Sequence, residues 1–172
     1  SFSLLKIFAL KFPFSFKKFL MPFSHRGGIQ LEHETTSIIP LRNKQNFLDW
    51  IERLSKINTL IDDAIEKARI GIDQGIVPPR FLMEKVYKQI ALQVFIEPKD
   101  SPFYRVFQNI DNEIDSSKEI QLKALDVIKT KVIPAYARLH TFFKEDYLPA
   151  CRTSIGIKAV SYTHLTLPTI NW

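Results

Sequence analysis

Few side chains in this sequence have the types and spacing that chemistry requires. His33-Glu34-Thr35-Thr36-Ser37 begins as a zinc-protease helix does. Such a site needs two histidines one helical turn apart, with a glutamate between them to activate water. Ser37 stands where the second histidine belongs. Glu32 adds a carboxylate but completes no ligand set, so the segment reads as a solvated loop. His25, His140 and His164 are scattered, and no zinc site is expected in this chain. Asp62, Asp63 and Glu66 are close enough for acid–base work, yet on an amphipathic helix they fit a charged, solvated face. Cys151 is the single cysteine, which excludes an internal disulfide. A small buried hydrophobe suits it better than a reactive thiol.

The elements that carry these residues are helices. The chain is organised around Gly71-Ile-Asp-Gln-Gly-Ile-Val-Pro-Pro-Arg80. Gly75 suits the left-handed position that ends a helix, and Pro78 and Pro79 suit the start of the next. Upstream, Phe47, Trp50, Ile51, Leu54, Ile57, Ile61, Ala64, Ile65, Ala68 and Ile72 keep the helical period, with Asn43 or Asn46 as cap. A kink is expected between Ser55 and Thr59. Downstream, Leu82, Val86, Ile90 and Val94 define a second helix, flanked by Phe81 and Ile96. Ser101-Pro102 opens a short third helix over Phe103, Val106, Phe107 and Ile110. Ser116 with Glu119 forms a capping-box pattern before the longest run, Lys118 to Tyr147. Its stripe is Leu122, Leu125, Ile128, Val132, Tyr136, Leu139 and Phe143, kinked by Pro134 and closed by Pro149. The expectation is an all-α array of about four to six helices, a partial domain, with one proline-kinked long helix.

Composition agrees. Of 172 residues 45% are hydrophobic and only 5 are glycine, which argues against a disordered chain and against a sheet-and-turn protein. The net charge of +6 is concentrated early: Lys6, Lys11, Lys17, Lys18, Arg26 and Arg42 face only Glu32 and Glu34. Those basics sit among phenylalanines rather than on an Arg-rich helix, so nucleic acid is not expected as a partner. Residues 1–23 hold half of the 14 phenylalanines. They fit a helix that has lost its partner better than an interfacial segment, so a membrane-surface role is not the first expectation. Residues 24–42 read as a connector and 43–160 as the helical region. The absence of an initiating Met predicts a start inside a longer reading frame, and the composition leaves the compartment open.

Several stretches together resemble a bacterial family catalogued as domain of unknown function 885. They are Met21-Pro22-Phe23 with Gly27-Gly28-Ile29-Gln30, Gly71 to Arg80, Ser101-Pro102-Phe103-Tyr104, Val132-Ile133-Pro134-Ala135-Tyr136 with Leu139, and Tyr147-Leu148-Pro149-Ala150-Cys151-Arg152 with Gly156. The resemblance implies a mostly α-helical protein similar to zinc-dependent peptidases. Its zinc would sit in a later His-Glu-x-x-Pro-Gly-His-His motif that this chain lacks. The chain is then expected to be an inactive, non-catalytic helical piece of a metallopeptidase-like hydrolase, with the missing C-terminal part as its partner. The alternative is a free-standing helical interaction module that docks on a partner or on a membrane surface. No catalytic or metal-binding residue carries over. Arg152, in the shared Tyr147–Arg152 stretch, is the candidate to hold a substrate carboxylate. Residues 161–172 depart from the family and resemble translated sequencing-adapter read-through, so they are expected to add nothing to the fold.

Overall fold

Apolar residues at helical spacing set the architecture. The computed structural model describes residues 19–37, 41–110 and 116–154. After a 3₁₀ segment, Ile29–Ser37, come α1 (Lys44–Ser55), α2 (Ile57–Asp73), α3 (Arg80–Val94) and α4 (Arg105–Gln108). α5 (Ser117–Val127) runs through a π turn, Ile128–Val132, into α6 (Ile133–Phe142). A second π turn, Phe143–Tyr147, leads to α7 (Leu148–Ala150). The fold is all-α, with no strand among the described residues beyond isolated bridges. The expectations for residues 1–18 and for the 161–172 tail lie outside the described residues.

α6 is central, packed against both α2 and α3, while α1 lies along α5. The core takes Phe47, Trp50, Ile51 and Leu54 from α1, and Ile57, Ile61, Ala64 and Ala68 from α2. Met83, Val86 and Ile90 come from α3, and Val132, Tyr136, Leu139, Phe143 and Tyr147 from the long helix. Each such large apolar side chain contributes about 1.5–3 kcal/mol on burial. Leu20 and Phe23 belong to the same interior, at 1% and 3% exposure, although the sequence groups them with the N-terminal segment.

α1 and α2 meet at Lys56, which closes one helix and opens the next. Ser55 Oγ donates to the Glu52 carbonyl at 2.6 Å, a local bond that competes with helix continuation. Asn43 is the α1 cap, its side chain accepting the Asn46 N–H at 2.9 Å. α2 ends as a Schellman motif. Gly75 adopts φ +66°, its N–H donates to Ile72 at 3.0 Å, and the Ile76 N–H donates to Gly71 at 2.8 Å. Pro79 then caps α3, which starts at Arg80, so the two prolines precede the helix rather than entering it.

Both prolines of the long helix follow a π turn at the same offset. Ile133 bonds back to Ile128, and Leu148 back to Phe143, each one residue further than an α-helix allows. Pro134 and Pro149 come next in each case. A proline lacks the N–H and crowds the carbonyl four residues back, and the wider turn relieves that crowding. Pro149 therefore lies within the final helical turn, and the helix ends at Cys151, which is extended.

Three sequence expectations are corrected. Ser116 and Glu119 form no capping box: Ser116 is left-handed (φ 64°), outside cap geometry, and its Oγ accepts Lys44 Nζ at 3.2 Å. Ser101 and Pro102 form a turn, with Ser101 accepting the Phe103 and Tyr104 N–H groups, and α4 starts only at Arg105. Leu122 is exposed, because the buried face of α5 runs through Ile120, Ala124 and Ile128.

Gly71 is where the N-terminal strap meets α2. A Cβ there would lie 2.6 Å from the Leu20 carbonyl oxygen and 3.0 Å from that of Ile76. Helix propensity alone would make Gly71→Ala favourable by about 0.5–1 kcal/mol. Overpacking against backbone costs about 1–3 kcal/mol, so Gly71→Ala should destabilise by roughly 1–2 kcal/mol. Denaturant unfolding checks this, and a neutral or stabilising result would mean that the strap does not dock. Gly75→Asn should cost less, because Asn tolerates the left-handed position.

Candidate functional site

Two stretches distant in sequence meet at the α3 entrance. Arg80 N–H donates to the Arg152 carbonyl at 2.9 Å, and Arg152 N–H donates to the Pro78 carbonyl at 3.3 Å. Pro79 has no N–H, so the bridge straddles it. Arg152, the candidate carboxylate holder, is thereby fixed by its backbone at the start of α3, half-buried. Arg80 is engaged with Glu84 at 3.3 Å. Beside them Cys151 is buried, and burial pushes its thiol up to about 11, against the opposing pull of Arg80. Such a thiol is inert at neutral pH. Tyr147 packs on Phe23 and Phe143, with ring centres 5.4 and 4.9 Å away, and burial raises its pKa.

The His33 segment is neither a metal helix nor a solvated loop. It is a 3₁₀ stretch clamped onto the body. Gln30 is fully buried, and its amide donates to the Ser24 and Gly27 carbonyls at 2.6 and 3.3 Å. Tyr136 Oη donates to the Ile29 carbonyl at 2.6 Å. Glu32 takes Arg53 at 2.6 Å. His33 Nδ1 lies 3.3 Å from Gln93 Nε2, and its ring meets Phe103 edge-on. The apolar neighbours of a helical body draw the segment inward, which local polarity could not reveal. Among the described residues no group of three or more His, Cys, Asp or Glu is arranged to hold a metal.

Asp62, Asp63 and Glu66 divide between walls and solvent. Asp62 accepts both Arg138 Nη2 contacts, at 2.9 and 3.2 Å, and Asp63 pairs with Lys67 at 3.1 Å. Arg69 reaches Asp146 at 3.4 Å and stands over the Phe142 ring. The Asp62–Arg138 and Arg69–Asp146 pairs bracket an open groove of about 640 Å³ between α2 and the long helix, floored by Ile65, Ala137 and Phe142. Asp62 thus ties α2 to α6 while Asp63 pairs within α2, and among the described residues no acid–base dyad is assembled from them.

The outer face of α3 is the feature that sequence reasoning missed. Leu92 and Phe95 are 69% and 76% exposed, and Phe81 is 44% exposed. Phe95 meets the His140 ring edge-on at 5.3 Å, and Tyr87 stacks on that ring at 4.6 Å. The signal was available: Leu92 and Phe95 fall off the Val86–Ile90 stripe. No helix among the described residues is long and apolar enough to cross a membrane.

The fold is an all-α helical array. The chain belongs to the family described as bacterial protein of unknown function (DUF885), whose model matches residues 13–163. No curated protein and no solved structure matches it.

Burial holds the pKa of His33 below its usual 6.5. His140 is lowered as well, by burial and then by Lys144. A histidine kept neutral by the fold contributes stability above its unfolded pKa and loses it as pH falls through the folded value. Stability should therefore drop as pH falls from about 6.5 toward the carboxylate range. The denaturant midpoint of a His33→Gln chain should fall less steeply over that window; an identical slope would mean that His33 is not the group responsible.

Proposed function

We propose that this chain is a helical interaction module that works by presenting a surface rather than a reaction centre. The observation that carries the reading is the exposure of Leu92 and of Phe95 at the end of a helix whose other face lies in the core. Large apolar residues grouped on a surface mark contact sites. The residues with catalytic types support the same reading. His33 pairs with Gln93, Asp62 with Arg138, and Cys151 is a buried thiol.

The resemblance drawn from the sequence implies a second reading, in which the module is the non-catalytic helical part of a metallopeptidase-like hydrolase and zinc binds elsewhere in the parent. Arg152 would then hold a substrate carboxylate. Parent DNA that continues past codon 160 into a His-Glu…Gly-His-His motif supports it, and a native stop codon there removes it.

The interaction reading predicts that a dye specific for apolar surface binds the folded chain, and that Leu92→Asp with Phe95→Asp removes most of the signal without changing the helical circular dichroism. No dye binding by a chain that stays monomeric at high concentration would overturn it.

A further inference from the structure

The outer face of α3 has a composition as well as an exposure. Phe81 and Leu92 stand at i and i+11, along one line of the helix, and the exposed Phe95 caps its C-terminal end. At 1.5 Å per residue that line is about 16 Å long. Lys85 and Lys88 are exposed between its ends. The nearest acid, Glu84, is taken by Arg80. Among the described residues neither lysine is ion-paired. The face is thus an apolar line with uncompensated positive charge along it.

We infer that this face lies on an anionic lipid surface. The inference rests on the interaction-module reading and names its partner. A second copy fits less well, because an antiparallel pairing about the middle of α3 sets Lys88 against its own copy. The outer face of a single helix is a ridge, which a planar boundary accepts along its whole length. Phenylalanine and leucine enter the acyl boundary, and lysine stems lie along the apolar surface with their ammonium groups at headgroup level. Residues 1–18 repeat the same chemistry, with Lys6, Lys11, Lys17 and Lys18 among five phenylalanines and no carboxylate.

Co-sedimentation of the full chain with vesicles tests this, comparing pure phosphatidylcholine with vesicles containing one-third phosphatidylserine. Binding to the anionic vesicles is expected to be at least several-fold stronger and to weaken with added salt. Leu92→Asp with Phe95→Asp, or Lys85→Glu with Lys88→Glu, should each reduce it several-fold with the helical dichroism unchanged. The basic phenylalanine segment at the start provides the internal control. Binding that survives both α3 double variants would belong to that segment and would overturn the inference. So would a folded chain that ignores anionic vesicles, or one whose α3 face is covered by a second copy in sedimentation equilibrium. Dye binding to the same preparation separates the two readings: dye without vesicle binding removes the lipid and leaves the module.

Discussion

The close approach of the Leu20 carbonyl to Gly71 is the contact on which the rest of the arrangement depends. It exists only because Gly71 has no side chain. The strap it admits carries Phe23 into the interior, against Phe143 and Tyr147. A few residues further on, Gln30 gathers the Ser24 and Gly27 carbonyls, and the 3₁₀ segment starts at Ile29. From there Tyr136 and Arg53 hold the segment to the long helix and to α1. The end of α2 bearing Gly71 also leads through Gly75 to Pro78, whose carbonyl receives the Arg152 N–H. One tight helix end thus connects both termini of the described fold.

The helices were legible in the sequence because they are periodic. The α1 and α2 stripes, the glycine stop, the break near Ser55 and the buried Cys151 all follow from local pattern. The failures share a physical cause: they depend on what lies across the chain. Local sequence shows Ser116 and Glu119 at the right spacing, but Lys44 and a left-handed backbone decide what Ser116 does. His33 reads as polar loop until Phe103 and Gln93 are brought against it. Arg152 could be singled out from a shared motif, but its attachment to Pro78 and Arg80 is a tertiary fact.

The two π turns show the form that the proline break takes in the long helix. Pro134 within a helical run predicts a kink. The break takes the form of a one-residue widening before Pro134, and again before Pro149, as the helix runs on to Cys151. Val132, Tyr136, Phe143 and Tyr147 all stay buried in the core across both breaks.

Tyr147 shows where this packing meets its polar limit. Its ring is fully buried, yet its hydroxyl has no hydrogen-bond partner. Leaving such a group unpaired costs about 1–3 kcal/mol. Burying an aromatic ring and packing it against other rings returns a comparable amount, about 0.5–1.5 kcal/mol per favourable ring pair beyond the area term. Tyr147 has three such neighbours, Phe23, Phe142 and Phe143. The balance therefore tolerates the orphan hydroxyl without assigning it a reaction. The same reasoning applies to the unpartnered indole N–H of Trp50, whose ring lies in the core and carries the Arg53 guanidinium at 5.6 Å. In both residues the ring is selected by packing, and the polar atom is carried with it.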